Sequence, residues 1–305
     1  MRNFSVEPLA GDPPFGAVVT GIDRPMLERA DIRASIRRLW HDKGVLVFRD
    51  VDGEDLHMAL AYALGTPGEH PMQRAPSATG PLRPVDVTFD DAKGSDLYEV
   101  DGELLGAYQP WHCDWIYMDE IARGGFMRPV RLPKTGGDTG FIDRSAAFDR
   151  LPPPLAEKIR GLNVFYYLEP DASRMKFGTP PARCARISER LKKAVHHPRV
   201  SRRSIHPLVF EHKDTGRKVL NISPWWMDAI EGMAEKESHD LLASLVDHCV
   251  RPENAYIHQW RPREMVIWDN WRMLHCAFGI PQDDVRHMQR IDLIGDYGLG
   301  RYEGD

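Results

Sequence analysis

The sequence predicts a mainly β fold, a barrel or sandwich, with flanking helices packed on its outside. Three observations predict it. Short β-rich pieces separated by turn residues fill the chain from Trp111 onward, helical periodicity interrupts them at only three places, and the opening reads strand, helix, strand. The 305 residues are 42% hydrophobic and 28% charged, with a formal charge of -5, the statistics of an ordinary globular protein. A chain of this length buries about three quarters of the surface it would expose unfolded. Stability therefore requires neither disulfides nor a structural metal, and a bound metal is expected to be functional.

In chain order, "GAVVTGIDRP" alternates around Val18 and Ile22 like a strand. "ADIRASIRRLWHDKG" spaces Ile32, Ile36 and Leu39 as a helix closed by Gly44, and "VLVFRD" follows as a short buried strand. Residues 71–108 are rich in proline and glycine and read as long loops broken by short strands such as "PVDVTF". The β-rich pieces then run through "GGFMRPVRL", "DTGFI", "LNVFYYLE", "RSIHPLVFEH", "RKVLNI", "EMVIWDN" and "HMQRIDLIGD". Helices are expected only within "SAAFDRLPPPLAEKIRG", "ISERLKKAVHH" and "ESHDLLASLVDHCV". No repeat is present, and residues 1–305 read as a single domain with lid or loop insertions near 66–108 and 168–205.

Cys113, Cys184, Cys249 and Cys276 form no CxxC pair and read as free thiols of a reducing compartment. Neither a signal peptide nor an 18-residue apolar run is found, so the expected location is cytoplasmic, away from the membrane. Residues 173–204 hold ten Lys or Arg against the single acid Glu189, a net +9 that leaves -14 for the rest. Such a run is a solvated helix with basic flanks or a lid that draws in an anion. Nucleic-acid binding is disfavoured by the acidic total and the absence of an accompanying motif.

The chemistry concentrates in "QPWHCDWIYMD". On a strand, residues i and i+2 share a face, so His112 and Asp114 would converge while Cys113 points away. An imidazole, a carboxylate and one further histidine make the facial triad that holds non-haem Fe(II) with open positions. The HxD pattern alone is common, and "HKD" at His212 to Asp214 repeats it. There, "EHKDTGRK" reads as an exposed hairpin turn, whereas Trp111, Trp115, Ile116 and Tyr117 surround His112 with the apolar shell a reactive metal needs. The third ligand must come from a distant strand. "EMVIWDNWRMLHCAFG" reads as strand, turn, strand and offers His275, which on pattern alone is also compatible with a core histidine. Arg286 and Arg290 in "VRHMQRID" stand where apolar alternation would be expected. A guanidinium binds a carboxylate through two parallel hydrogen bonds, so a buried arginine here suits a dicarboxylic co-substrate. Cys113 and Cys276 read as core fillers.

Taken together, "WHCD", His275 within "WDNWRMLHCA", and arginines 11 and 15 positions beyond that histidine resemble the taurine dioxygenase and 2,4-dichlorophenoxyacetate dioxygenase family. "GGDTGFID", "GVLVFRD" and "HPLVFEHKDTGRKVLNIS" extend the resemblance over nearly the whole chain. It implies a double-stranded β-helix (jelly-roll) core and an Fe(II)- and 2-oxoglutarate-dependent dioxygenase that consumes O2. Such an enzyme hydroxylates a small organic, anionic and bulky or aromatic substrate with release of succinate and CO2. His112, Asp114 and His275 would be the iron ligands, Thr139 and Arg290 would hold the distal carboxylate of 2-oxoglutarate, and Arg286 would lie near its metal-binding end. His70 in "GEHPM" matches a substrate-touching histidine of the taurine branch. Tyr108, Trp115 and Tyr117 depart from that branch toward a larger pocket and are further candidate substrate contacts. Members of the family are commonly dimers or tetramers. Two other functions compete: a zinc-dependent hydrolase using the same three ligands, and a protein whose basic segment binds nucleic acid or an acidic partner.

Overall fold

The computed structural model describes residues 4–69 and 82–305. Its centre is a pair of facing sheets. The first runs, in spatial order, Ser5–Glu7, Ala17–Thr20, Val45–Arg49, Glu264–Asp269, Gly124–Arg131, Arg286–Ile294 and Thr66–Gly68, with Val85–Phe89 also paired to Arg286–Ile294. The second runs Arg183–Arg186, Leu97–Val100, Glu103–His112, Met273–Pro281, Thr139–Asp143 and Ala255–His258. The chain passes repeatedly from one sheet to the other, so spatial neighbours are distant in sequence, as in a jelly roll. Val47, Met127, Val266, Trp268 and Met288 of the first sheet pack on Phe141 and Met273 of the second to fill the space between them.

The opening forms as expected: Ala17–Thr20 pairs in parallel with Val45–Arg49 through the helix Ala30–Lys43. That helix buries Ile32, Ile36 and Trp40 on the outer face of the first sheet and ends at Gly44, whose φ of 74° suits glycine. A second helix on this face, Glu54–Leu64, was not anticipated. Outside the second sheet, Glu235–Cys249 packs Leu242, Leu245 and Val246 into the largest apolar cluster, together with Trp225, Trp226 and Tyr166. The helix expected across 145–161 is broken into Arg144–Asp149 and Pro153–Lys158. Three consecutive prolines from Pro152 forbid continuity there.

Two other expectations change. Residues 103–108 are not loop: Glu103–His112 is a ten-residue central strand. Gly106 and Pro110 hide it in the sequence, although Gly106 is needed because a Cβ there would lie 1.9 Å from the Phe89 ring. The basic segment is largely tied to acids of other elements: Arg183 to Glu99, Arg186 to Asp91, Arg199 to Asp119, and Lys176 and Arg203 to Asp228. All four cysteines are free thiols. Among the described residues, no helix is long and apolar enough to cross a membrane.

Candidate metal centre

His112 is the last residue of its strand, and antiparallel pairing with Met273–Pro281 sets it directly opposite His275. Cross-strand partners of this kind hold their side chains side by side, and the two imidazole centroids lie 4.1 Å apart. Asp114 joins them by a different route from the one expected. The strand stops at His112, the chain turns, and Trp115 takes a left-handed φ of 65°. A tight turn, not strand alternation, therefore swings the carboxylate back to the histidines. His112 Nε2 lies 3.6 Å from Asp114 Oδ1 and His275 Nε2 lies 3.4 Å from Oδ2. Among the described residues, these three alone form a group whose ligand atoms all lie within 4.8 Å of one another.

The donor set fits an octahedral divalent metal. Ligands bound at about 2.1 Å on one octahedral face stand about 3 Å apart, close to the spacing found. His112 Nδ1 lies 2.7 Å from the carbonyl oxygen of Pro110, so its N–H donates there and Nε2 is the ring nitrogen turned toward Asp114. Burial opposes ionisation of Asp114, yet Arg290 and the two histidines outweigh it and hold the carboxyl well below its usual range. Burial and the adjacent His112 push His275 well below the ordinary imidazole range, so it is neutral. An anionic carboxylate beside the neutral His275 imidazole suits a metal, which binds deprotonated ligands.

Aromatic rings enclose the group. Trp268 lies 4.9 Å from His275, in space left by Gly125, where a Cβ would come within 2.2 Å of the indole. Trp225 and Trp226 stack on each other at 4.6 Å and present edges to His112 at 5.6 and 5.1 Å. Tyr117 meets Trp226 edge-on at 4.7 Å. Both stacked indoles are buried, with their N–H groups lacking a hydrogen-bond partner among the described residues.

Of the two arginines, it is Arg290 that lies beside the proposed ligands. Arg290 is at the metal end: Nη2 lies 2.7 Å from Asp114 Oδ2 and 2.6 Å from Asp292 Oδ1, with the guanidinium 5.3 Å above the Trp268 ring. Arg286, two strand repeats away on the same face, is buried and has no acidic partner among the described residues. Burial alone pushes it down to about 10, and its Nε has no hydrogen-bond partner among the described residues. The 137–139 segment adjoins it, with a Cβ on Gly137 falling 3.5 Å from Arg286 Cδ, and Thr139 Oγ1 accepts a hydrogen bond from Trp260 at 2.9 Å.

Of the other candidates, Trp115 and Tyr117 are buried beside the centre. Tyr108 sets its ring 6.0 Å from Tyr98, and burial lifts its hydroxyl to about 12. His70 lies outside the described residues. Cys113 turns its thiol toward the carbonyl of Asn270, and Cys276 faces Gly140. His212 is in a hairpin between Val209–Glu211 and Lys218–Leu220, as expected, but it is fully buried, not exposed. Its Nε2 bonds Asp269 Oδ2 at 2.9 Å, which overrides the polar appearance of its neighbours. Sequence reasoning missed Trp225, Trp226, Asn270 and Asp292. Only the adjacent pair in "SPWWMD" and the second acid-base alternation in "RID" hinted at them.

Residues 5–291 match the family model described as "Taurine catabolism dioxygenase TauD, TfdA family". The chain belongs to this family. It is 31% identical to the (S)-phenoxypropionate/alpha-ketoglutarate-dioxygenase of Sphingobium herbicidovorans over 96% of each chain. It is 33% identical to the alpha-ketoglutarate-dependent 2,4-dichlorophenoxyacetate dioxygenase of Cupriavidus pinatubonensis over 93% of this chain and 96% of that one. An alpha-ketoglutarate-dependent sulfate ester dioxygenase of Pseudomonas putida is 28% identical, covering 97% of this chain and 91% of the relative. The crystal structure of a taurine dioxygenase from Burkholderia xenovorans superposes with a TM-score of 0.71 at 22% identity, covering 100% and 97% of the two chains, which confirms the fold. As a TauD/TfdA protein, the chain is a 2-oxoglutarate-dependent non-haem iron dioxygenase that uses Fe(II), 2-oxoglutarate and O2 on a small organic substrate. The zinc-hydrolase reading is set aside, since the named relatives are oxygenases.

Proposed function

We propose that this dioxygenase hydroxylates a small anionic substrate with an aromatic or otherwise bulky body, with His112, Asp114 and His275 holding Fe(II). The chemistry supplied by iron with 2-oxoglutarate is activation of O2: 2-oxoglutarate loses CO2 and becomes succinate with one oxygen atom, and the other enters a C–H bond of the substrate. The protein's own part is to bind and orient. His112 keeps its Nδ1 proton on the Pro110 carbonyl and so presents Nε2. Arg286, with Thr139 nearby, receives the distal carboxylate of 2-oxoglutarate. Arg290, fixed by Asp292, places its charge at the metal end, where the anionic groups of co-substrate and substrate meet.

The observation that carries this reading is Arg286, a buried cation with no acid beside it among the described residues, in a site otherwise closed by aromatic rings. Such a group is costly unless an anion arrives. The substrate class draws support from relatives whose names specify phenoxypropionate, 2,4-dichlorophenoxyacetate and sulfate esters, and from Trp225, Trp226 and Tyr117 as stacking surfaces. The free thiols suit a cytoplasmic location.

The test is a screen for oxygen-dependent succinate release with aryloxy acids, sulfate esters, sulfonates, amino-acid derivatives and uncharged isosteres, using His112→Ala as the blank. Release with an aryloxy acid or sulfate ester at rates above the blank is expected. Turnover confined to the uncharged isosteres would refute the anionic class.

A further inference from the structure

The turn that carries Asp114 has no ladder to hold it. Its strand ends at His112, and the left-handed Trp115 prevents further pairing. Yet Asp114 has both backbone polar groups occupied, and by one side chain. Asn270 Oδ1 accepts the Asp114 N–H at 2.9 Å, and Asn270 Nδ2 donates to the Asp114 carbonyl at 3.0 Å. The second Nδ2 proton goes to the Ala122 carbonyl at 2.9 Å. The amide thus copies the two-bond exchange of an antiparallel residue pair. Its orientation is fixed, because a flipped amide would set NH2 against the Asp114 N–H and oxygen against two carbonyls.

Asn270 is itself immobilised. Its N–H donates to the Arg123 carbonyl at 3.1 Å, and its own carbonyl accepts from Arg144 Nη2 at 2.8 Å and faces the Cys113 thiol at 3.2 Å. Arg144 is fully buried and spends its other hydrogen bonds on Asn221, on Cys113 Sγ and on the carbonyls of Trp271, Ile222 and Arg272. Every polar atom of Asn270 is therefore used, and none points at the space between the three ligands.

We infer that Asn270 is the positioning residue of the metal centre: its amide clamps the backbone of Asp114 and thereby sets the carboxylate opposite His112 and His275. This rests on the reading of those three residues as the ligands. Groups behind a ligand typically change metal affinity by about 10- to 100-fold when removed, and the clamp holds the one ligand that no strand restrains.

The experiment titrates Co(II) anaerobically into metal-free full-length protein, reading affinity and the visible d–d spectrum, for wild type, Asn270→Ala, Asn270→Asp and Asp114→Ala. Asn270→Asp keeps the acceptor for the Asp114 N–H and loses both donors, so it tests the clamp even if the alanine variant does not fold. Thermal unfolding of the metal-free proteins identifies the folded variants. Binding weakened by about 10- to 100-fold, with an altered d–d spectrum, is expected in each folded Asn270 variant. Affinity within about threefold of wild type and an unchanged spectrum in the folded variants would overturn the inference. Retention of wild-type Co(II) binding by Asp114→Ala would instead refute the ligand assignment beneath it.

Discussion

Replacing Arg286 by methionine separates what the residue costs from what it does. The flexible methionine stem keeps much of the packing and removes the charge. Burial takes the guanidinium from 12.5 down to about 10 with no compensating acid, a penalty on the order of 3 kcal/mol at 1.36 kcal/mol for each tenfold change. The metal-free, ligand-free variant is therefore expected to be more stable than wild type by up to about 3 kcal/mol, read by chemical denaturation. Binding should change in the opposite direction. Two charge-assisted hydrogen bonds to a carboxylate contribute about 1.5 to 3 kcal/mol each, so 2-oxoglutarate should bind Mn(II)-loaded Arg286→Met at least about 100-fold more weakly by calorimetry. A variant that loses more than about 1 kcal/mol of stability, or holds 2-oxoglutarate within about threefold of wild type, would refute the assignment of Arg286 to the co-substrate.

Arg290→Met should behave oppositely in stability: it leaves Asp114 and Asp292 without their shared cation, and the metal-free protein should lose about 3 to 5 kcal/mol, part of it restored by Mn(II) in a thermal shift. In the acid limb, burial lowers His206 to about 4 and His57 to about 3 from 6.5. The unfolded chain then binds more protons, so stability is complete above pH 6.5 and falls as pH drops, by on the order of 3 kcal/mol per ring at pH 4. Denaturation curves that stay flat between about pH 6.5 and 5, and a His57→Gln variant with an unaltered slope, would contradict this. Ala107 has a φ of 53° inside its strand, and Ala107→Gly should stabilise the protein by about 0.5 to 1 kcal/mol in urea denaturation.

Local pattern revealed the order of the strands and the identity of the triad, because each rests on short-range chemistry: apolar alternation, or a histidine and a carboxylate amid rings. It failed where the deciding partner is remote. His212 looked exposed among Lys213, Asp214 and Thr215, but Asp269, 57 positions away, draws it into the interior. Asp114 was assigned to a strand because nothing local announces the left-handed Trp115 or the Asn270 amide that closes the turn. That Arg290 and not Arg286 stands beside Asp114 was hidden for the same reason. Both face the barrel interior, and only the position of Asp114 beside Arg290 distinguishes them. Trp225 and Trp226 form part of the wall around His112 through a loop whose path depends on the whole fold.

The central claim is that His112, Asp114 and His275 bind Fe(II) in a form that accepts 2-oxoglutarate. Its most direct test is anaerobic addition of 2-oxoglutarate to the Fe(II)-loaded protein, monitored by visible absorption. The claim predicts a weak charge-transfer band in wild type that saturates at one 2-oxoglutarate per chain and is absent from Asp114→Ala. No band in wild type, or an equal band in Asp114→Ala, would contradict it.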